Sequence, residues 1–528
     1  MGNLSQIRRA EMLEYLNHLK EIHTDDESRI ALSKIETALT EKKYGLVWEE
    51  HEEEVDRKLV HNIPVFREVE DKKIIADENG DFNFLLEGDN LHSLKLLEKT
   101  HKGKVDVIYI DPPYNTGNKD FIYDDNYIGS DDGYRHSKWL SFMAERLKIA
   151  KELLSDEGVI FISIDDNEYA QLKLLCDGIF GESNFLGTYI KQSKVGGGND
   201  SKFMVKEHEY CLCYTKNINS TKPMYIKHSD EYLKRYKEED SNGRFFWDTF
   251  ARPGLKNPII YDIVAPDGTV INNGWIRSKE RFEREYSEGK IKIVKKKDGK
   301  WSVQFKQYLN KNGKTPRSMT MDFGGTTEGD KELKNIFGKK VFNYPKSIKY
   351  LTTLISTIDD KNATILDCFA GSGTTGQAVM QLNKEDGGNR KYILCTNNEN
   401  NICEKITYKR MKNIQKELPH NLKYYKTEFI PKLSEDEEIL SSKLLDYIKE
   451  MVELENMCEI DGSSRRIILS DEDLNIALSE MKESGVLYIP SFILLTNEIK
   501  DSIEEWKLEV VTIPDYYFTE ELREVNEL

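Results

Sequence analysis

Read for its alternation of apolar and polar positions, the chain begins with two stretches of helical spacing, MLEYLNHLKEI and RIALSKIETALTEKKYG. They predict a charged helical arm over residues 1–62. FNFLLEGDNLHSLKLLEK (82–99) then reads as strand, tight turn and helix, and VDVIYI (105–110) as a continuously apolar strand. A long polar loop starting DPPYNTG follows. KWLSFMAERLKIAKELLSDEG is an amphipathic helix expected to end at Gly158, and VIFISID is another buried strand. Apolar strands alternating with helices predict an α/β fold, a mostly parallel sheet covered on both faces.

Between about 186 and 335 the pattern changes to short strands, turns (GGGND, APDGT, KKDGK) and scattered aromatics, the texture of an inserted domain. The α/β pattern returns over 336–425 with SIKYLTTLIST, ATILDCF, a glycine turn, TTGQAVMQLN and KYILCT. RRIILS, VLYIPSFILL and LEVVTIP then predict a small α/β module within 430–528. The halves 63–185 and 336–425 are thus expected to close one sheet around the insert.

Composition changes this picture in two places. No apolar run reaches the ~18–20 residues of a membrane span and the N-terminus has no signal-peptide core, so a cytoplasmic protein with no membrane partner is expected. Seven cysteines without a zinc-type CxxC pair predict neither disulfides nor a metal site. The net charge of -17 conceals a division. Residues 191–320 carry 27 Lys and Arg against 16 Asp and Glu, whereas 431–528 carry 9 against 25. A basic middle suits a nucleic acid and an acidic tail suits a protein.

Two junctions carry candidate chemistry. DCFAGSGTTGQAV (367–379) runs from strand to helix through Gly371 and Gly373, whose backbone can approach a ligand closely. It fits neither a Walker loop nor a dinucleotide GxGxxG. With Asp367 before it and Glu399 after the next strand, it suits a nucleoside carrying a charged end. The other junction, DPPY (111–114), sets an acid and two prolines at the end of an apolar strand, where open α/β sheets bind ligands. The alternative there is a plain turn.

Together GDNL (88–91), DPPY (111–114), YPKS (344–347) and FAGSGTT (369–375), in that order, resemble the beta-class amino-methyltransferases of DNA. KYGLVWEEHEEEV, KEHEYCLCYTKN, GWIRSKERFE and YILCTNNEN are similar to stretches of the modification subunits of type III restriction-modification systems. The resemblance covers roughly residues 40–415 and implies a Rossmann-like methyltransferase of permuted motif order that uses S-adenosylmethionine.

By that resemblance Asp111, Pro112, Pro113 and Tyr114 are catalytic. The acid and the Pro112 carbonyl accept from an adenine amine, and Tyr114 stacks on the flipped base. Asp89, Lys346, Asp367, Phe369, Ala370, Gly371, Ser372, Gly373, Thr374 and Glu399 face the cofactor. Asp89 has a competing reading as a helix N-cap. Ser347 stands where the family's PKP-type segment has a second proline.

The insert becomes a target recognition domain, with Lys194, Lys202, Arg252, Lys256, Trp275 and Arg277 as candidate DNA contacts. The implied partners are double-stranded DNA, a second copy in a homodimer and a separate helicase-nuclease restriction subunit. Methylation of the cytosine amine and a catalytically silent DNA-binding scaffold are the rival readings.

Overall fold

The computed structural model describes residues 4–23, 25–40, 48–118, 120–123, 126–193, 202–252, 254–320, 324–432, 440–481, 483–491, 493–513 and 517–524. They fall into two compact units, one of residues 1–221, 318–355 and 360–528, the other of 222–317 and 356–359.

The first unit is built on a ten-stranded sheet. Its strands, numbered along the chain, are β1 (Asn62–Glu68), β2 (Phe82–Glu87), β3 (Val105–Ile110), β4 (Leu154–Ile164), β5 (Phe185–Gln192), β6 (His208–Thr215), β7 (Met319–Thr320), β8 (Thr364–Asp367), β9 (Lys391–Thr396) and β10 (Asn421–Pro431). Across the sheet they run β1-β10-β2-β9-β8-β3-β4-β6-β5-β7. The stretch from β10 to β4 is parallel throughout. β1 and β6 are antiparallel to their neighbours.

The permuted order is resolved at the centre. β3 from the first half lies beside β8 from the second, with Ile365 opposite Val107 and Leu366 opposite Ile108. Both strands are buried apart from the partly exposed Asp106 and Thr364 near their starts, which is why the remaining positions are largely apolar. Helices Asn90–His101 and Arg135–Leu153 bury Leu94, Leu97, Trp139, Met143 and Leu147 in the same core.

Gly158 does not end the helix before it. That helix stops at Leu153 and β4 starts at Leu154, opposite Val105. The register shifts between Val105 and Val107, and a side chain at Gly158 would meet the Ser155 and Val105 carbonyls at 2.9 Å. The glycine serves a close backbone approach inside an irregular strand.

The acidic C-terminal stretch does form a three-stranded parallel sheet, Arg465–Ile467, Gly485–Pro490 and Leu508–Ile513. Leu440, Met451, Leu454, Tyr488 and Phe518 nevertheless belong to the main hydrophobic core. Beneath them Lys423 of β10 is fully buried between Glu68 and Glu453, 2.8 Å from each, and Tyr425 donates to Glu453 at 2.5 Å.

The second unit is narrower than the stretch 186–335, because β5, β6 and β7 hydrogen-bond into the main sheet. It holds a four-stranded antiparallel sheet, a hairpin of Ile259–Val264 with Val270–Trp275, and the helix Lys279–Ser287. Phe250, Ile263, Trp275, Ile291, Val303 and Phe305 form its core. No helix among the described residues is long and apolar enough to cross a membrane.

Candidate active site

The DPPY segment leaves the carboxyl end of β3, and the glycine turn leaves the carboxyl end of β8 beside it. Neighbouring strands lie about 4.8 Å apart, so two motifs far apart in sequence meet at one edge of the sheet.

Asp111 is partly exposed at this edge, and its Oδ1 accepts from the Tyr114 hydroxyl at 2.9 Å. The Lys346 ammonium lies 3.2 Å from the same oxygen and donates to the Tyr114 oxygen at 2.6 Å and to Glu209 Oε2 at 3.0 Å. Burial alone pulls the Lys346 ammonium down, but Asp111 and Glu209 outweigh it and hold it well above the ordinary lysine value. Burial raises Glu209, yet Lys346 and Lys191 win and keep it below the ordinary glutamate range. Burial, then Asp111, pushes the Tyr114 hydroxyl well up, so Tyr114 stays a donor. Lys191 stands behind, 4.0 Å from Glu209 and 4.6 Å from the centre of the Tyr350 ring. Its burial and the nearby Lys346 charge lower it to about 8.

The backbone of the segment is held from the side. Trp139, fully buried, donates to the Pro113 carbonyl at 2.7 Å. Asn115 is buried in left-handed conformation at φ 56°, where asparagine is among the better tolerated residues. Its amide donates to Glu168 Oε1 at 2.6 Å and to the Arg135 carbonyl at 3.2 Å. Glu168 is itself buried and 2.6 Å from His136 Nδ1. Burial raises its carboxyl to about 8 and lowers His136, so the pair is neutral near pH 7.

In the glycine turn Gly371 and Gly373 have φ of 48° and 74°, the left-handed region that glycine enters without strain. An added Cβ would lie 3.3 Å from Phe342 at the first and 3.0 Å from Thr407 at the second. Phe342, two residues ahead of YPKS, therefore packs over the turn. Asp367 is buried and spends both oxygens inside the turn, accepting from the Phe369 amide at 3.0 Å and the Thr375 hydroxyl at 2.5 Å. Burial raises it to about 7. The Ala370 amide donates to the Cys395 carbonyl at 3.1 Å, and Phe369 meets Phe142 edge-on at 6.0 Å. Arg410, buried, donates to the Ser372 carbonyl at 3.2 Å and to the Thr374 hydroxyl at 2.8 Å.

Asp89 caps the helix Asn90–His101, accepting from the Leu91 amide at 2.8 Å, and the same Oδ1 lies 3.4 Å from Arg146. The N-cap reading is thus realised in the geometry. Glu399 is exposed after β9 and accepts from the Asn397 side chain at 2.9 Å. A nucleoside with a charged end fits this edge: glycine backbone at the turn, an exposed carboxylate past the next strand, and an ammonium at Lys346. Among the residues expected to face the cofactor, Asp367, Ser372 and Thr374 shape the turn through bonds of their own.

The expected DNA contacts divide. Trp275 is buried in the core of the second unit and donates to the Tyr261 carbonyl at 2.7 Å, so it has no free face to stack on a base. Arg277 pairs with Glu285 and covers Phe305 at 4.0 Å, a fastening inside the same unit. Composition cannot distinguish a tryptophan or arginine held in a core from one on the surface. Arg252 is exposed and paired with Asp248 at 2.9 Å, Lys256 is exposed, and Lys202 lies 5.3 Å over Phe203. Lys194 lies outside the described residues.

Sequence reading missed Glu209, Lys191, Trp139, Asn115, Glu168 and Arg410. Only Glu209 had a signal, its place in the family-like stretch KEHEYCLCYTKN.

The chain is similar to known proteins that modify DNA. The chain is 36% identical over 377 residues to the type III restriction-modification enzyme StyLTI Mod subunit of Salmonella typhimurium, covering 65% of this chain and 57% of that one. It is 36% identical over 354 residues to the Type II methyltransferase M.KpnI of Klebsiella pneumoniae, covering 61% and 82%. It is 32% identical over 376 residues to the EcoPI Mod subunit of Escherichia phage P1, covering 60% and 58%. The aligned region spans less than three fifths of either Mod subunit. A family model described as DNA methylase matches residues 105–409, from the first residue of β3 to past the glycine turn. The chain belongs to the DNA methylase family.

Proposed function

We propose that the protein transfers a methyl group from S-adenosylmethionine to the exocyclic amine of adenine in a short target within double-stranded DNA. One observation carries the reading: Asp111 and the glycine turn stand on adjacent strand ends, so a methyl donor on one and an acceptor base on the other would meet at one edge. When bound, the donor supplies an electrophilic methyl on a sulfonium.

The residues of the chain prepare the other reactant. The lone pair of an adenine amine is delocalised into its ring. Acceptors on its two hydrogens, Asp111 and the Pro112 carbonyl, favour the pyramidal, nucleophilic nitrogen, and proline stiffens the turn that aims them. The base must leave the duplex to reach them, at a cost of about a few kcal/mol that contact with Tyr114 offsets. In the present arrangement Lys346 and Tyr114 occupy the Asp111 oxygen to which a bound amine would donate. An acid at the first position of DPPY supports adenine over cytosine.

The likeness to Mod subunits supports a place as the modification subunit of a type III-like restriction-modification system. In that setting the protein pairs with a second copy and with a separate helicase-nuclease, and the insert reads the target.

Incubation with tritiated S-adenosylmethionine and genomic DNA, followed by nucleoside analysis, tests the reading. Label in N6-methyladenine, lost in Asp111→Ala, is expected. Label in N4-methylcytosine would replace adenine by cytosine, and no label from the wild type would sink the activity.

A further inference from the structure

Three consecutive apolar residues, Phe203, Met204 and Val205, stand exposed, the first two at 92% and 82%. Single exposed apolar residues are ordinary. A run of three, with a lysine on each side, at the rim of a catalytic edge is not explained by packing, since Phe203 and Met204 bury almost nothing. Lys202 and Lys206 flank the run.

The position of this segment follows from the sheet. β5 pairs antiparallel with β6 up to Gln192 opposite His208, and the Ser193 amide closes the loop onto the Glu207 carbonyl at 2.8 Å. β6 runs antiparallel to β4, with Tyr210 opposite Ile164, so residues 202–207 enter β6 at the carboxyl edge of the sheet, the edge that carries DPPY. Lys206 is tied down by Asp166, just past β4, at 3.1 Å, and Tyr210 donates to the other oxygen of that acid at 2.9 Å. Glu209, which holds Lys346 and faces Tyr114, is six residues from Phe203, a span of at most about 20 Å.

We propose that Phe203 and Met204 form a wedge that enters the base stack of duplex DNA at the step left by the extruded adenine. The inference rests on the methylation reading above. Phenylalanine and methionine are among the side chains that proteins insert between base steps, and Lys202 suits a neighbouring phosphate while Lys206 anchors the segment to Asp166. A filled gap removes the competitor for the pocket, which is the return of the base to its own stack. The apolar surface left in water in the free protein is then covered in the complex.

The wedge matters only while the target base must be pulled from a pair. The test uses full-length protein on two duplexes carrying the target motif, found by sequencing modified bases in the host genome. In one the target adenine is paired with thymine; in the other it faces an abasic site. Single-turnover methylation is measured for wild type, Phe203→Ala, Met204→Ala and Phe203→Leu, with 2-aminopurine fluorescence at the target position as the readout of flipping. For Phe203→Ala the ratio of the paired rate to the unpaired rate should fall about tenfold, with a weaker 2-aminopurine signal on paired DNA. Met204→Ala should fall less, and Phe203→Leu should restore most of the ratio.

Equal losses on both duplexes, or none, would overturn the wedge while leaving the methyltransferase reading intact. Wild type that labels neither duplex would overturn the reading and the wedge with it.

Discussion

Lys346, mostly buried in the loop ahead of the helix Ile348–Ser356, and Lys423, sealed within β10, have nearly the same neighbours and opposite fates. Lys346 is placed between Asp111 and Glu209 with Tyr114 as a further partner, and Lys423 between Glu68 and Glu453 beside Tyr425. In both, two carboxylates outweigh the cost of burial and hold the ammonium charged. The difference is the lid. Lys423 and Glu453 have no exposed side-chain surface and Glu68 only 6%, whereas Asp111 is 28% exposed and Glu209 19%. A sealed cluster can only hold the fold. The same cluster at a strand end, with one acid facing out, can exchange a contact for a guest.

The comparison breaks most severely at the sealed end. Lys423→Met leaves Glu453 and Glu68 buried without their cation and should cost about 3–5 kcal/mol, read as a lower urea midpoint. Asp111→Ala should instead leave that midpoint within ordinary error and lower single-turnover methylation by at least about a hundredfold, as for other losses of preorganised polar groups at a reacting centre. If both variants change the same quantity, the division between sealed and open clusters is false.

A smaller effect is expected at Glu209→Gln, which keeps the hydrogen bond from Lys346 but removes one of its two counter-charges. Methylation should fall about tenfold with cofactor affinity little changed, separating this acid from the glycine turn in isothermal titration. The smallest effect sharpens the contrast with an acid that has no lysine at all. Glu168 keeps its proton up to about 8 when folded and only to the ordinary glutamate value when unfolded. The folded state therefore binds more protons in that interval, and the wild type loses stability as pH rises through it. Glu168→Gln has no such loss, so its advantage over the wild type in unfolding free energy should grow between pH 5 and pH 8 by about 1 kcal/mol per pH unit, read from urea titrations at each pH.

The sequence disclosed the open site far better than the sealed one, for physical reasons. DPPY and FAGSGTT are written in residues whose backbone demands are visible locally: prolines, left-handed glycines, an acid at the end of an apolar run. Apolar strands without alternation likewise gave away the parallel centre of the sheet. Lys423 and Glu453 look like solvated charges, because nothing near either in sequence reveals its partner. Trp275 and Arg277 erred in the opposite direction: the residue types suited DNA, and only the packing of the second unit shows them occupied. Asp89 was ambiguous for a related reason, since an acid before a helix caps it whether or not a ligand is present. The end of the helix before β4 was misplaced because Gly158 works at a close approach to a strand that sequence spacing does not show.

The place of β10, between β1 and β2, has a consequence for how the chain is made. β1 ends at Glu68 and waits for a partner that starts at Asn421, while β3 waits for β8 at Thr364. At about 5–20 residues per second, synthesis leaves the early strands without their final neighbours for tens of seconds. A nascent chain carrying DPPY thus has no completed edge on which to use it. Ribosome-bound chains stalled before Asn421 should be cleaved rapidly by protease within β1 and β2, and chains extended past the C-terminal helices should resist. The order of the motifs along the chain makes the completed sheet edge a late event in translation, with chaperones as the natural custodians of the interval.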